Sequence, residues 1–212
     1  LLKKSDYWNE RYRGAPPSVI TDYEITEYDD YKKSVSATLD GNCSALNGEE
    51  IVYWAKSSGT TGTSKYFPLT RTYMKEIARG SAPTSYWMLE HFPKMLSGKI
   101  LTLSAFAGGM NPVSRIRQGF ISNELSRLSY KYLKRFHAVS PDIFDVVDNE
   151  ENTIRFLMQA LASDVSLILS PTPLSALYLY EDIKKYRSVL LDKFRKMGTH
   201  PHVCAALESP DL

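Results

Sequence analysis

Chemistry-bearing groups are concentrated in one stretch, Ser57-Ser58-Gly59-Thr60-Thr61-Gly62-Thr63-Ser64, which closes on Lys65. The run offers hydroxyls, unencumbered main-chain N–H groups and almost no side-chain bulk. Successive N–H groups in such a loop form anion-binding concavities, and a lysine adds a positive charge with three donors. Gripping the phosphates of a nucleotide is the task these groups suit. Gly/Ser/Thr loops are also ordinary turns, because Gly supplies positive φ and Ser/Thr hydroxyls bond local backbone. Composition alone leaves both readings open, so residue order has to decide between them.

The run needs elements that hold its two ends. Ile51-Val52-Tyr53-Trp54-Ala55 before it and Tyr66-Phe67 after it are apolar and strand-like, which predicts a hairpin with the run at its tip. The P-loop pattern G-x-x-x-x-G-K-[ST] does not fit. Counted from Gly59, Ser64 stands where the second Gly belongs, and Tyr66 follows the lysine. Pro68 then lies in a strand-like run, whereas a P-loop lysine opens a helix.

The order does resemble the phosphate loop of adenylate-forming enzymes (acyl-CoA ligases, luciferases, nonribosomal adenylation domains), [ST]-[SG]-G-[ST]-[ST]-G-x-P-K. Ser57 through Gly62 and Lys65 match, with Ser64 where most members carry Pro. The trailing Tyr66-Phe67-Pro68-Leu69-Thr70 and the upstream Tyr28-Asp29-Asp30-Tyr31-Lys32 most resemble the auxin-responsive acyl-acid amido synthetases. That resemblance implies ATP and Mg²⁺, adenylation of a small-molecule carboxylic acid, and transfer of the acyl group to an amino acid amine. It implies that Ser57, Ser58, Thr60 and Thr61 donate to β- and γ-phosphate oxygens. Gly59 and Gly62 let the loop fold over them, and Lys65 offsets charge. Lys65 and Thr61 carry the catalytic assignment, and no residue is assigned to a metal. Two alternatives stay open: an acyl-CoA or acyl-carrier ligase using the same loop, and a non-catalytic nucleotide-binding or regulatory module.

The remaining elements follow from pattern. Residues 1–24 read as an irregular arm with an extended Ala15-Pro16-Pro17, and 25–212 as a partial N-terminal adenylating domain. Thr26 reads as the cap of a helix ending at Leu39, with acidic residues in its first turn where the dipole favours them. Thr70 caps a long helix, residues 71–91, in which Gly80 and Pro83 predict a kink or break. Its bulky half, Tyr86, Trp87, Leu89 and Phe92, reads as a core face or the wall of an acyl pocket. Residues 100–104 and 165–169 read as short buried strands, and 105–122 as a loop. On a strand, Arg115 and Arg117 would share a side. A helix spans 123–136, a loop with His137 follows, and a helix carries the stripe Ile154, Leu157, Met158 and Leu161. One long helix runs from Leu174 to Gly198, and His200-Pro201-His202 reads as a polar tail. The predicted fold is α/β: a mostly parallel sheet with covering helices, and the phosphate loop as a β-hairpin at its edge.

Composition excludes several classes. With 43% apolar residues and a net charge of +2, the chain has a globular core and no polyelectrolyte signature, so no nucleic-acid partner is expected. Cys43 and Cys204 have no metal or disulfide spacing, which suits a reducing, cytoplasmic compartment. No run approaches the ~20 apolar residues of a membrane span. The family's adenine motif (aromatic-[AS]-x-[ST]-E), its ribose-binding Asp and its C-terminal lysine domain do not occur in the 212 residues. The expectation is therefore an N-terminal part of a longer chain, inactive by itself.

Overall fold

The computed structural model describes residues 4–15, 17–57, 59, 64–106, 108–146 and 149–210. Along the chain run α1 (Asp6–Arg11), α2 (Tyr28–Leu39), β1 (Ile51–Lys56), β2 (Tyr66–Thr70), α3 (Arg71–His91), β3 (Lys99–Thr102), β4 (Gly109–Met110) and β5 (Arg117–Gly119). Then follow α4 (Ile121–Leu133), α5 (Glu150–Leu161), β6 (Val165–Leu169), α6 (Leu174–Lys185), α7 (Arg187–Met197) and α8 (Pro201–Glu208). They form two compact units, Leu1–Ala82 with Gly109–Gly119, and Pro83–Gly108 with Phe120–Leu212.

The first unit is built on a four-stranded sheet of order β2-β1-β5-β4. The β1–β2 and β4–β5 pairs are antiparallel and β1–β5 is parallel. Pairing here is mixed rather than mostly parallel, because the short connection between β1 and β2 can only fold back on itself. The segment read as a loop, 105–122, supplies two of the strands. Arg117 lies on β5, but Arg115 precedes it in a left-handed conformation (φ 59°), so the two arginines do not share a strand face. Val35 of α2 packs on Ile51 and Trp54 of β1, with Tyr28, Tyr31 and Tyr66 closing the edge of this core.

The helices of this unit begin where polar side chains meet free N–H groups. Ser5 caps α1 through its hydroxyl. Glu27, not Thr26, caps α2, in a reciprocal box with Asp30, which satisfies two orphan donors at once. Among the described residues of the arm only α1 and one 3-10 turn, Ile20–Asp22, are regular, and Trp8 stacks on Tyr12 (5.9 Å) and meets Tyr23 edge-on (5.0 Å). Pro16 lies outside the described residues. Thr70 accepts from the Tyr73 N–H at 3.2 Å, capping α3 as predicted. α3 then continues unbroken through Gly80 and Pro83, although the proline lacks an N–H for the carbonyl four residues back. The boundary between the units falls at this proline.

In the second unit β3 and β6 pair in parallel. Leu101 and Leu103 join Ile143, Phe144, Leu157, Leu190, Phe194 and Leu207 in one core. The predicted stripe on α5 is inward, with Leu157 1% exposed. The aromatic half of α3 is not a core face: Tyr86, Trp87 and Phe92 are 72%, 52% and 58% exposed. Trp87 instead stacks on His91 at 4.4 Å within the same helix. The helix predicted from Leu174 to Gly198 is two, parted at Tyr186, and α7 ends at Gly198 as read. His200-Pro201-His202 is the start of α8, with Pro201 in the first turn, where its missing N–H costs nothing. Gly108 is set by packing: a Cβ there would lie 2.6 Å from the Phe144 carbonyl oxygen.

Candidate functional site

The β1–β2 hairpin forms at the sheet edge, as the sequence predicted. Its mouth is closed by two bonds. The Ser57 N–H donates to the Lys65 carbonyl at 3.0 Å, and the Lys65 N–H donates to the Ser57 hydroxyl at 2.9 Å. The Ser57 oxygen is thus an acceptor within the loop, and among the described residues its own proton has no acceptor. Gly59 has φ 67°, a left-handed conformation that a residue with a side chain adopts only at a cost. Ser58, Thr60, Thr61 and Gly62 lie outside the described residues.

Lys65 is exposed, with its ammonium 5.2 Å from the centre of the Tyr28 ring. A second cation, Lys56, lies at the other side of the mouth, 5.3 Å from the centre of the Tyr66 ring. Among the described residues neither lysine has a carboxylate partner within ion-pair distance. Two ammonium groups therefore flank a loop of donors, and each rests on an aromatic face rather than on an anion. Such an arrangement is chemically prepared for a polyanion: the charge is present and no resident carboxylate has to be displaced.

Tyr28, the first residue of α2, holds the base of the hairpin. Its hydroxyl accepts from the Tyr66 N–H at 3.0 Å and donates to the Tyr66 carbonyl at 3.3 Å. Sequence reasoning noted Tyr28 only as part of a helix start and did not single out Lys56. The lysine's signal was its place directly before the small-residue run. The tyrosine's role is a contact across 38 positions, which no local pattern encodes.

The second unit holds a groove of about 370 Å³. Ile100, Leu103, Leu125 and Leu169 give it apolar walls, and Ser126 and His137 give it polar points. His137 is 8% exposed and shares a 3.0 Å hydrogen bond with Ser129. Burial, and secondarily the charge of Lys99, push its imidazole below the ordinary value. It lies in the connection after α4, outside the helices and strands as the sequence suggested, but is buried there. No group of three or more His, Cys, Asp or Glu able to hold a metal occurs among the described residues. Among the same residues no helix is long and apolar enough to cross a membrane.

An α/β fold with a lysine-closed hairpin of small residues at a sheet edge defines a class of protein, and comparison names its family. The chain belongs to the GH3 family: the model of the GH3 family N-terminal domain matches residues 22–208. Among solved structures it is similar to "AtGH3.15 acyl acid amido synthetase in complex with 2,4-DB", with a TM-score of 0.73 at 15% identity. It is also similar to "GH3.15 acyl acid amido synthetase", with a TM-score of 0.71 at 14% identity. Each likeness covers 92% of this chain and 35% of the other, so the chain spans about a third of those proteins. No curated protein matches the chain.

Proposed function

We propose that this chain supplies the ATP-phosphate grip of an acyl acid amido synthetase, which adenylates a carboxylic acid and passes the acyl group to an amino acid amine. The observation that carries this reading is the hairpin mouth, with Ser57 and Lys65 tied to each other and, beside them, two ammonium groups that have no carboxylate partner among the described residues. Phosphoryl chemistry of this kind asks the protein for position and charge rather than for covalent steps. Lys65 and Lys56 offset the negative charge of the β- and γ-phosphates. The Ser57 hydroxyl, and by family resemblance those of Ser58, Thr60 and Thr61, donate to their oxygens. Mg²⁺, which is held in such sites by substrate phosphates, waters and one or two carboxylates, would supply further positive charge at the same phosphates.

The groove in the second unit suits the hydrocarbon of a small acid, with apolar walls and hydroxyls that fix orientation. Residues 1–212 alone do not complete the reaction in this proposal, because the adenine and ribose motifs of the class do not occur in them.

The test is ATP–pyrophosphate exchange by the complete natural protein with a panel of carboxylic acids, followed by a choice of amino acids or coenzyme A as acceptor. Acid-dependent exchange that Lys65→Ala lowers about 10-fold or more supports the proposal, since hydrogen bonds from charged donors are worth about that factor. Exchange that is indifferent to Lys65 removes it. Turnover with coenzyme A but not amino acids reassigns the acceptor.

A further inference from the structure

We propose that Tyr28 is a positioning residue for the phosphate grip, setting both the hairpin base and the resting place of the Lys65 ammonium. The proposal rests on the phosphate reading above and adds to it a residue outside the loop.

Three observations converge on it. The first is a main-chain problem and its solution. In an antiparallel pair, alternate residues turn their N–H and C=O away from the partner strand. Ser57 and Lys65 bond across the mouth, so the next pair, Lys56 and Tyr66, points its main-chain groups outward. β2 is the edge strand, and those groups would otherwise be an open template. The Tyr28 hydroxyl takes both, accepting from the Tyr66 N–H at 3.0 Å and donating to its carbonyl at 3.3 Å. One side chain thereby substitutes for a neighbouring strand at the last residue before the loop.

The second observation is the lysine. Its ammonium lies 5.2 Å from the centre of the Tyr28 ring, within the range of a cation–π contact. An aromatic face holds an ammonium without cancelling its charge. A carboxylate in the same place would have to be displaced before a phosphate could bind.

The third observation is rigidity. Tyr28 opens α2 directly after the Glu27–Asp30 capping box, and Val35, two turns further on, is buried against β1. The ring also meets Phe67 at 5.6 Å and Tyr31 at 5.4 Å. The clamp is thus mounted on a capped helix that packs against β1 rather than on the loop itself.

Tyr28→Phe keeps the ring and removes the hydroxyl, and Tyr28→Leu removes both. In the complete natural protein, ATP and adenosine are titrated by calorimetry, with a thermal melt of each variant. The expected result is ATP affinity about 3- to 10-fold weaker in Tyr28→Phe, the range for one lost hydrogen bond. A further loss of about 2- to 5-fold is expected in Tyr28→Leu, the range for a cation–π contact, with adenosine affinity unchanged in both. Equal ATP affinity in Tyr28→Phe and the unmodified protein overturns the proposal, as does an equal loss for ATP and adenosine. Hydrogen exchange at the Tyr66 amide needs no variant: protection supports the clamp, and free exchange of this outward-facing group overturns it. If the unmodified protein binds adenosine no more weakly than ATP, the phosphate reading itself fails, and that result is distinct from a null effect of Tyr28→Phe.

Discussion

Ser57 and Lys65 are tied to each other twice, by the Ser57 N–H on the Lys65 carbonyl (3.0 Å) and by the Lys65 N–H on the Ser57 hydroxyl (2.9 Å). A side chain stands in for a ladder carbonyl at the point where the strands part. Ser57→Ala removes that acceptor from a half-buried residue whose hydrogen bond is open to solvent, so water can replace it and the stability cost is about 0.5–1 kcal/mol. ATP affinity is expected to fall several-fold, and Ser57→Thr to restore most of it. Paired melts and ATP titrations check this; a variant with lowered melting temperature but unchanged affinity would assign Ser57 to folding alone.

Trp54 is completely buried on β1, and its indole N–H has no hydrogen-bond partner among the described residues. Trp54→Ala is expected to cost about 3–5 kcal/mol in the first unit, as for other large aromatic truncations. Trp54→Phe is expected to cost well under half of that, because a buried donor without a partner leaves together with the lost volume. Urea unfolding followed by circular dichroism gives both numbers. Equal destabilisation by the two variants would contradict the argument.

His137 gives the second unit a pH dependence whose sign follows from burial. Its imidazole is pushed down from the ordinary value, so the unfolded chain binds the proton more readily than the folded one. The associated stability is fully present above the unfolded pKa of about 6.5 and is lost as pH falls through the lower folded value. Unfolding curves at pH 7.5, 6.5 and 5.5 should show stability falling with pH, and the slope should shrink in His137→Gln. Identical slopes in the two proteins would remove His137 as the cause.

Arg127 binds three carboxylates at once. Its guanidinium lies 3.5 Å from Glu124 and 2.7 Å from Asp142, and it also pairs with Asp145. Glu124 is 6% exposed, while the Asp142 side chain is 70% exposed, so the cluster lies between the buried and surface limits. Arg127→Met is expected to cost about 2–3 kcal/mol, between the values for exposed and buried pairs, and part of the loss should persist in high salt. A change below 0.5 kcal/mol in chemical denaturation, roughly the noise of a surface substitution, would place the whole cluster in solvent.

Much of this was readable from the residues. β6 forms where read, but not as a buried strand, since Ile168 and Leu169 are 47% and 41% exposed. β1, β2, α2 and α5 announce themselves by period, caps and turn residues, and the run from Ser57 to Lys65 announces the loop. β5 does not, because Arg117-Gln118-Gly119 carries no alternation and becomes a strand only where β1 offers an edge. The break at Tyr186 has no Gly or Pro to mark it, and the apolar positions Leu179, Ile183, Tyr186, Leu190 and Phe194 recur at helical spacing straight across it. The aromatic half of α3 misled for the opposite reason: period reports that a face exists, and says nothing of what covers it. Tyr28 stayed invisible as a clamp because its partner is a main-chain group on another element, and main-chain groups leave no trace in sequence.

The sheet of the first unit is completed from a distance. β5 aligns Gln118 and Gly119 with Trp54 and Ala55, so the strand carrying the hairpin gains its inner neighbour only after α3 and β3 have passed. Closure over so long an intervening segment is entropically slow. During vectorial synthesis this flank of β1 therefore has its native partner only once Gly119 has left the ribosome.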